Sequence, residues 1–407
     1  MKKYWKLIVI SVVTCFILGF FYVKNATYSE QLPQFTIQPI EGDEAVAESL
    51  TVYGQRYDGM NHIEQFQIDQ KGTKYLRDEA YFKRLTGYHL KQEIDSWQSD
   101  YHHFMRGKDE DMGLFYEGAD RLAYASVISS SPLIWVADTL DIHMLDKETK
   151  NQRQFQVQLP NASKYWYQDI AHVYMTDNEL TVIMESNYEG ENESTGVDLI
   201  LLTLDMETEQ LVEEENLYQS TAESDEMMYE EITLHTSDQD EAHVVIAKQR
   251  TNYEDEETTD GEVTDSNHVT KTDELMKYNL QTKKTEQIAI PKEMENATFI
   301  TFDEERVYFA DNTSSNIRII PYHVADETVQ EAWEVDVPRP QDSLWAGHAT
   351  IENNKLFYLH EVYDGVQLST IVVLDLKKEQ LDYVGEVVVN KEYFDTEEIY
   401  LDQLIVQ

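Results

Sequence analysis

The chain has 407 residues, 32 basic against 78 acidic, for a net charge of −46. Such a field repels nucleic acid and anionic lipid headgroups, which excludes both as partners of the bulk of the chain. The 41% hydrophobic content supports a sizeable core, and the single cysteine, Cys15, excludes an intrachain disulfide framework or a CxxC redox site.

The N-terminus carries Lys2, Lys3 and Lys6 ahead of Leu7–Val23, an unbroken run without charge. That run is at the short end for a membrane-spanning helix, and Tyr4, Trp5 and Tyr22 suit the interfaces. Lysines before the run and acid after it predict a cytoplasmic tail (1–6), a transmembrane helix (7–23) and an extracytoplasmic remainder at the bacterial cell membrane. Two other readings compete. A signal peptide cleaved after Ala26 would have Lys24 at a position that wants a small residue, and a lipobox ending at Cys15 would have Thr14 before the cysteine. All three place residues 30–407 outside the cytoplasmic membrane.

Residues 24–45 show little periodicity and read as a tether. From residue 46 onward, short strand patterns recur between turn residues. The stretch after Lys164 runs IAHVYM, LTVIME, DLILLTL, LVEEENLY, which is four strands in meander order. Three further quartets follow: MYEEITLHT to TEQIAI, ATFITF to QEAWEV, and LWAGHATI to LDYVGEVVV. An earlier quartet, RLAYASV, LIWVAD, DIHML and RQFQVQL, fits less tidily. Four hairpins share nearly the same wording, with Asp146, Asp205, Asn279 and Asp375 at the turn starts, where Asp and Asn are favoured. A unit of about 45–60 residues matches a propeller blade. Residues 48–77 supply part of a first unit, and EEIYLDQLIVQ at the C-terminus would complete it and close a ring. The fold class is therefore all-β, a β-propeller of about six four-stranded antiparallel blades, or seven if residues 79–119 hide one. Tandem β-sandwiches are the alternative.

Residues 79–119 break the strand pattern. Leu90, Ile94, Trp97, Tyr101 and Phe104 recur at helical spacing, and Gly107 suits the stop, so a partly helical insertion is expected there.

No sequence signature identifies a catalytic residue or a bound cofactor: there is no GxSxG elbow, no phosphate-cradling glycine loop and no HExxH. Three acidic segments, 185–198, 221–231 and 250–268, could at most attract calcium, but none has EF-hand spacing. They read as solvated loops. His102 and His103 are neighbours whose side chains diverge on a helix, so they form no ready-made chelate. His172, His323, His348 and His360 lie in or beside strands and read as ordinary strand residues. The function expected is a non-catalytic, membrane-anchored sensor or interaction module binding a protein, peptide or glycan. The alternative is a surface polysaccharide hydrolase or lyase with carboxylates at a channel mouth.

Overall fold

The computed structural model describes residues 12–16, 19, 32–57, 63–79, 92–129, 137–176, 178–189, 195–219, 228–237, 242–254, 267–311, 316–336, 347–361, 367–389 and 399–406. Among these, no helix is long and apolar enough to cross a membrane. Most of Leu7–Val23 lies outside the described residues; Val12–Phe16 is helical and exposed.

The first strand, β1 (Phe35–Gly42), is followed by α1 (Glu44–Glu48), β2 (Leu50–Tyr57), β3 (Ile63–Asp69) and β4 (Gly72–Tyr75). Helices α2 (Gln92–Asp100) and α3 (His102–Met105) come next. Sheet 2 is then built from β5 (Phe115–Glu117), β6 (Arg121–Ile128), β7 (Thr139–Asp146) and β8 (Gln152–Gln158). Sheet 3 is β9 (Tyr167–Met175), β10 (Glu179–Glu189), β11 (Thr195–Asp205) and β12 (Gln210–Gln219). Sheet 4 is β13 (Met228–His235), β14 (His243–Glu254), β15 (Asn267–Asn279) and β16 (Lys284–Ile288). Sheet 5 holds β17 (Thr298–Phe302), β18 (Arg306–Asp311), β19 (Asn316–His323), β20 (Thr328–Val329) and β21 (Trp333–Asp336). Sheet 6 holds β22 (His348–Glu352), β23 (Lys355–Glu361), β24 (Gln367–Asp375) and β25 (Gln380–Val389). The last strand, β26 (Ile399–Val406), returns to β2 and completes sheet 1 in the order β26-β2-β3-β4.

Each sheet is an antiparallel meander, and consecutive sheets share a buried apolar layer. Leu140, Ile142 and Met144 of sheet 2 pack with Val173, Leu180 and Val182 of sheet 3. Sheets 3 and 4 join through Tyr174, Leu201 and Tyr278, and sheets 4 and 5 through Val245, Phe299 and Phe309. Sheets 5 and 6 join through Tyr308 and Tyr358, and sheets 6 and 1 through Phe357, Phe66 and Leu401. Stacking of this kind buries both faces of sheets too small to do so alone, as in a β-propeller. Between sheets 1 and 2 stands α2, whose Asp95 acts electrostatically on Tyr53 of β2.

The pairing of β26 with β2 runs from Leu50↔Val406 to Arg56↔Ile399, so the chain's end closes its beginning. A second clasp was not legible in the sequence. The tether assigned to 24–45 is corrected in its second half: β1 pairs with β25 from Phe35↔Val389 to Gly42↔Tyr383 and makes sheet 6 five-stranded. Phe35 and Ile37 are buried in the layer shared by sheets 6 and 1. Pro39 hides this strand in the sequence; it is tolerated because β1 is an edge strand, where a missing N–H breaks no ladder.

Other expectations shift locally. The fourth strand of sheet 2 is the short β5, not LIWVAD, of which residues 133–136 lie outside the described residues and Ala137 and Asp138 lie outside any strand. Of QEAWEV only Trp333–Val335 is strand, within β21; the two-residue β20 before it also pairs with β19. The described part of 79–119 holds helices and β5 rather than a further sheet. The helix expected through Phe104 breaks at Tyr101 (φ −130, ψ 37), which turns Phe104 and Met105 into the same core as Ile94 and Trp97. Gly107 follows at φ +77, a conformation glycine adopts without strain.

Candidate functional site

The repeated hairpins lie at one end of the sheets. Asp146 Oδ1 accepts from the Thr149 amide at 2.7 Å, Asp205 Oδ1 from Thr208 at 2.7 Å, Asn279 Oδ1 from Thr282 at 2.6 Å and Asp375 Oδ1 from Lys378 at 2.9 Å. The next residue in each turn is left-handed: Lys150 (φ 60), Glu209 (φ 58), Lys283 (φ 55) and Glu379 (φ 53). Sheet 5 repeats the turn with Glu327 (φ 52), and His323 takes the place of the Asp or Asn. The sequence therefore repeats because one turn chemistry is used four times, with its left-handed residue recurring in a fifth turn. Its amide hydrogen bonds, with the Thr149 and Thr208 hydroxyls, also hold the Asp146 and Asp205 carboxyls below the usual range.

A four-stranded meander makes three reversals, an odd number, so the chain leaves each sheet at the end where it entered. The connections between sheets, and those within sheets between second and third strands, consequently share the opposite end. Segments 190–194, 220–227 and 255–266 all connect strands there. They include the parts of the three acidic segments that lie outside the described residues, 190–194, 221–227 and 255–266. Trp166 and Tyr167, 49% and 42% exposed, open β9 at the same end. Among the described residues, no group of three His, Cys, Asp or Glu could hold a metal ion.

A polar cluster stands apart on sheet 2. In β7 the even residues Leu140, Ile142 and Met144 face the core shared with sheet 3. The odd ones place Asp141 and His143 on the other face, as strand alternation requires. On β8, Gln156 is paired with Asp141 and Gln154 with His143. His143 Nε2 lies 2.8 Å from Asp141 Oδ2, and Gln154 Nε2 donates to Asp141 Oδ1 at 3.0 Å. Lys108, delivered by the turn after α3, brings Nζ to 3.2 Å from His143 Nδ1. The ammonium also lies 4.2 Å from the Phe104 ring centre and 5.1 Å from that of Tyr124. Burial would raise the Asp141 carboxyl, but the hydrogen bonds from Gln154, His143 and Gln156 prevail and hold it below its ordinary range. Burial brings Lys108 down to about 8, against the opposing pull of Asp141. The only sequence signal for this cluster was D-x-H beside Q-x-Q-x-Q on adjacent strands, which gains meaning only once the register is known.

The histidines singled out in the sequence do not converge. His102 and His103 are exposed, with ring centres 4.0 Å apart. His360 is fully buried, its Nδ1 3.3 Å from Tyr358 Oη. Burial lowers His172 to about 4, and His235, which the sequence reading passed over, behaves alike, edge-on to Phe299 at 4.8 Å. His323 reaches Asp326 at 3.3 Å, and His348 is exposed at the start of β22.

No known protein family matches the chain, and no curated protein does. Among solved structures, a periplasmic gluconolactonase of Pseudomonas aeruginosa is similar at 11% identity and TM-score 0.36, over 82% of each chain. The β-propeller domain of the Trilobed protease from Pyrococcus furiosus, described as having an open velcro topology, is similar at 10% identity and TM-score 0.30, over 89% of this chain and 99% of that one. TolB from Acinetobacter baumannii is similar at 8% identity and TM-score 0.32; the match covers 85% of this chain and 65% of TolB. At these scores the likenesses carry no argument about activity.

Proposed function

We propose that the chain is a non-catalytic interaction module of a bacterium. In this reading it is a closed six-bladed propeller, held outside the cytoplasmic membrane by Leu7–Val23, and it binds a protein, peptide or glycan. The observation that supports the reading is the division between the two ends of the sheets. One end carries four tight turns whose amides are bonded to their own side chains. The other carries the long connections, the acidic segments and the exposed Trp166 and Tyr167. A surface that offers side chains rather than closed turns is where recognition by loops takes place.

The test is site-specific photo-crosslinking in intact cells, with the probe at Thr195 on the connection end or at Glu207 on the turn end. A discrete adduct from Thr195 and none from Glu207 is expected. Equal adducts from both, or protection of the whole chain from protease added to intact protoplasts, would overturn the reading.

A further inference from the structure

The cluster on sheet 2 has a chemistry that partner binding does not use. We propose that Lys108 is a nucleophilic amine that captures small aldehydes as imines, with His143 and Asp141 managing the proton.

Lys108 is placed differently from several other lysines of this acidic chain. Lys74, Lys147, Lys283 and Lys378 each meet a carboxylate, with Asp69, Glu117, Glu213 and Asp375 as partners at 2.5–2.7 Å. Among the described residues Lys108 meets two ring faces and an imidazole nitrogen instead. It is half-buried, so its amine is partly stripped of water yet within reach of a small molecule. The groups facing it are Phe104 from α3, Tyr124 from β6, and His143 with Asp141 behind it from β7. Asp109 follows it in the chain, and its amide donates to Tyr124 Oη.

His143 is oriented from behind. With its Nε2–H directed at Asp141, the imidazole presents the Nδ1 lone pair to Lys108. Asp141 is itself fixed by Gln154 and Gln156, so the chain amine–imidazole–carboxylate is set before any ligand arrives. A nucleophile beside a base that a third group orients is the general arrangement for activating a weak nucleophile. In the step proposed, the lone pair of the neutral amine forms the N–C bond while the C=O π pair moves to oxygen. One nitrogen proton passes to His143 Nδ1 and is returned to that oxygen. The hydroxyl then departs as water, with a second proton from nitrogen, as C=N forms. Aldehyde and amine give imine and water, with no oxidant or reductant.

The experiment treats the whole protein with substoichiometric formaldehyde and cyanoborohydride, which traps the imine as a methylated amine, and maps the labelled lysines by mass spectrometry. Lys108 should be labelled about tenfold faster than Lys378, a conservative share of what a positioned base contributes. Its rate should rise with a midpoint near 8, whereas that of Lys378 rises at higher pH because Asp375 raises it. His143→Gln can still donate to Asp141 but cannot accept the proton, and it should slow Lys108 by about tenfold with Lys378 unchanged. Lys108→Arg should remove the fast product while keeping the charge and the melting temperature. Labelling of Lys108 at the rate of Lys378, or an unchanged Lys108 rate in a folded His143→Gln, would overturn the proposal.

Discussion

Closure by the last strand can be tested with two neighbouring residues. Leu401 on β26 is 3% exposed and packs in the layer shared by sheets 6 and 1, with Phe66, Leu359 and Val373. Tyr400 points the other way, 48% exposed, with its ring 5.3 Å from that of Tyr57. Leu401→Ala should therefore cost about 2–5 kcal/mol, the range for opening a cavity in a packed core. Tyr400→Ala should cost about 1 kcal/mol or less, as a largely exposed ring contact. Ending the chain before Ile399 removes three buried side chains, Ile399, Leu401 and Leu404. At about 1.5–3 kcal/mol each, that is roughly 5–9 kcal/mol, before counting the unpaired edge of β2. A domain holds about 5–15 kcal/mol in total, so the shortened chain should be unfolded or nearly so. Urea unfolding followed by tryptophan fluorescence measures all three. Equal midpoints for Leu401→Ala and Tyr400→Ala, or an unshifted midpoint after truncation, would refute closure by β26.

Four further outcomes follow from the same structure. Phe35→Ala, which empties a fully buried site on β1, should cost about 3–5 kcal/mol by urea unfolding, whereas a mere tether would show no change. Lys150→Gly and Glu209→Gly should each raise the midpoint slightly, because a left-handed non-glycine residue costs about 1–2 kcal/mol and the added unfolded-state freedom of glycine offsets about half. His172 and His235, lowered to about 4 by burial, are neutral in the folded state but take up protons below about pH 6.5 when unfolded. Stability is thus fully present above about pH 6.5 and should fall toward about pH 4, and His235→Phe should flatten part of that slope in urea titrations at stepped pH. Shortening the connection 255–266 to four residues should change stability by about 1 kcal/mol or less while abolishing the Thr195 crosslink.

The sequence displayed the architecture where a pattern is local and repeated. Alternation gave the strands of sheets 3 and 4, and the polar start of each hairpin located Asp146, Asp205, Asn279 and Asp375. It concealed what depends on pairing across the chain. Pro39 reads as a break until β25 is seen beside it, where the edge position makes a missing N–H harmless. Tyr101 fits the helical spacing, yet the backbone turns there while Trp97 and Phe104 still enter one core. The Lys108 cluster was hidden for the same reason. Its residues come from a helical insertion and three strands, and no spacing in the sequence announces that Lys108 meets His143.

The repeated hairpin also bears on where function can sit. Each turn directs its Asp or Asn oxygen at its own amides and turns its chain through one left-handed residue, so its backbone donors are already occupied. Asp375 adds Lys378 as an ion-pair partner at 2.7 Å, which settles its charge locally too. Such an end is stable against substitution of its solvent-facing side chains but offers few free groups to a ligand. The opposite end has no such constraint on the length or composition of its connections, since each one need only rejoin strands whose register is set by the sheets. Long insertions there cost little, because closure entropy grows slowly with loop length. Selection for binding can therefore act on one end while the other keeps the sheets in register. The proposed Lys108 chemistry lies on the face of sheet 2 that the helical insertion covers, away from the three acidic segments, so it is tested separately from what those segments recognise.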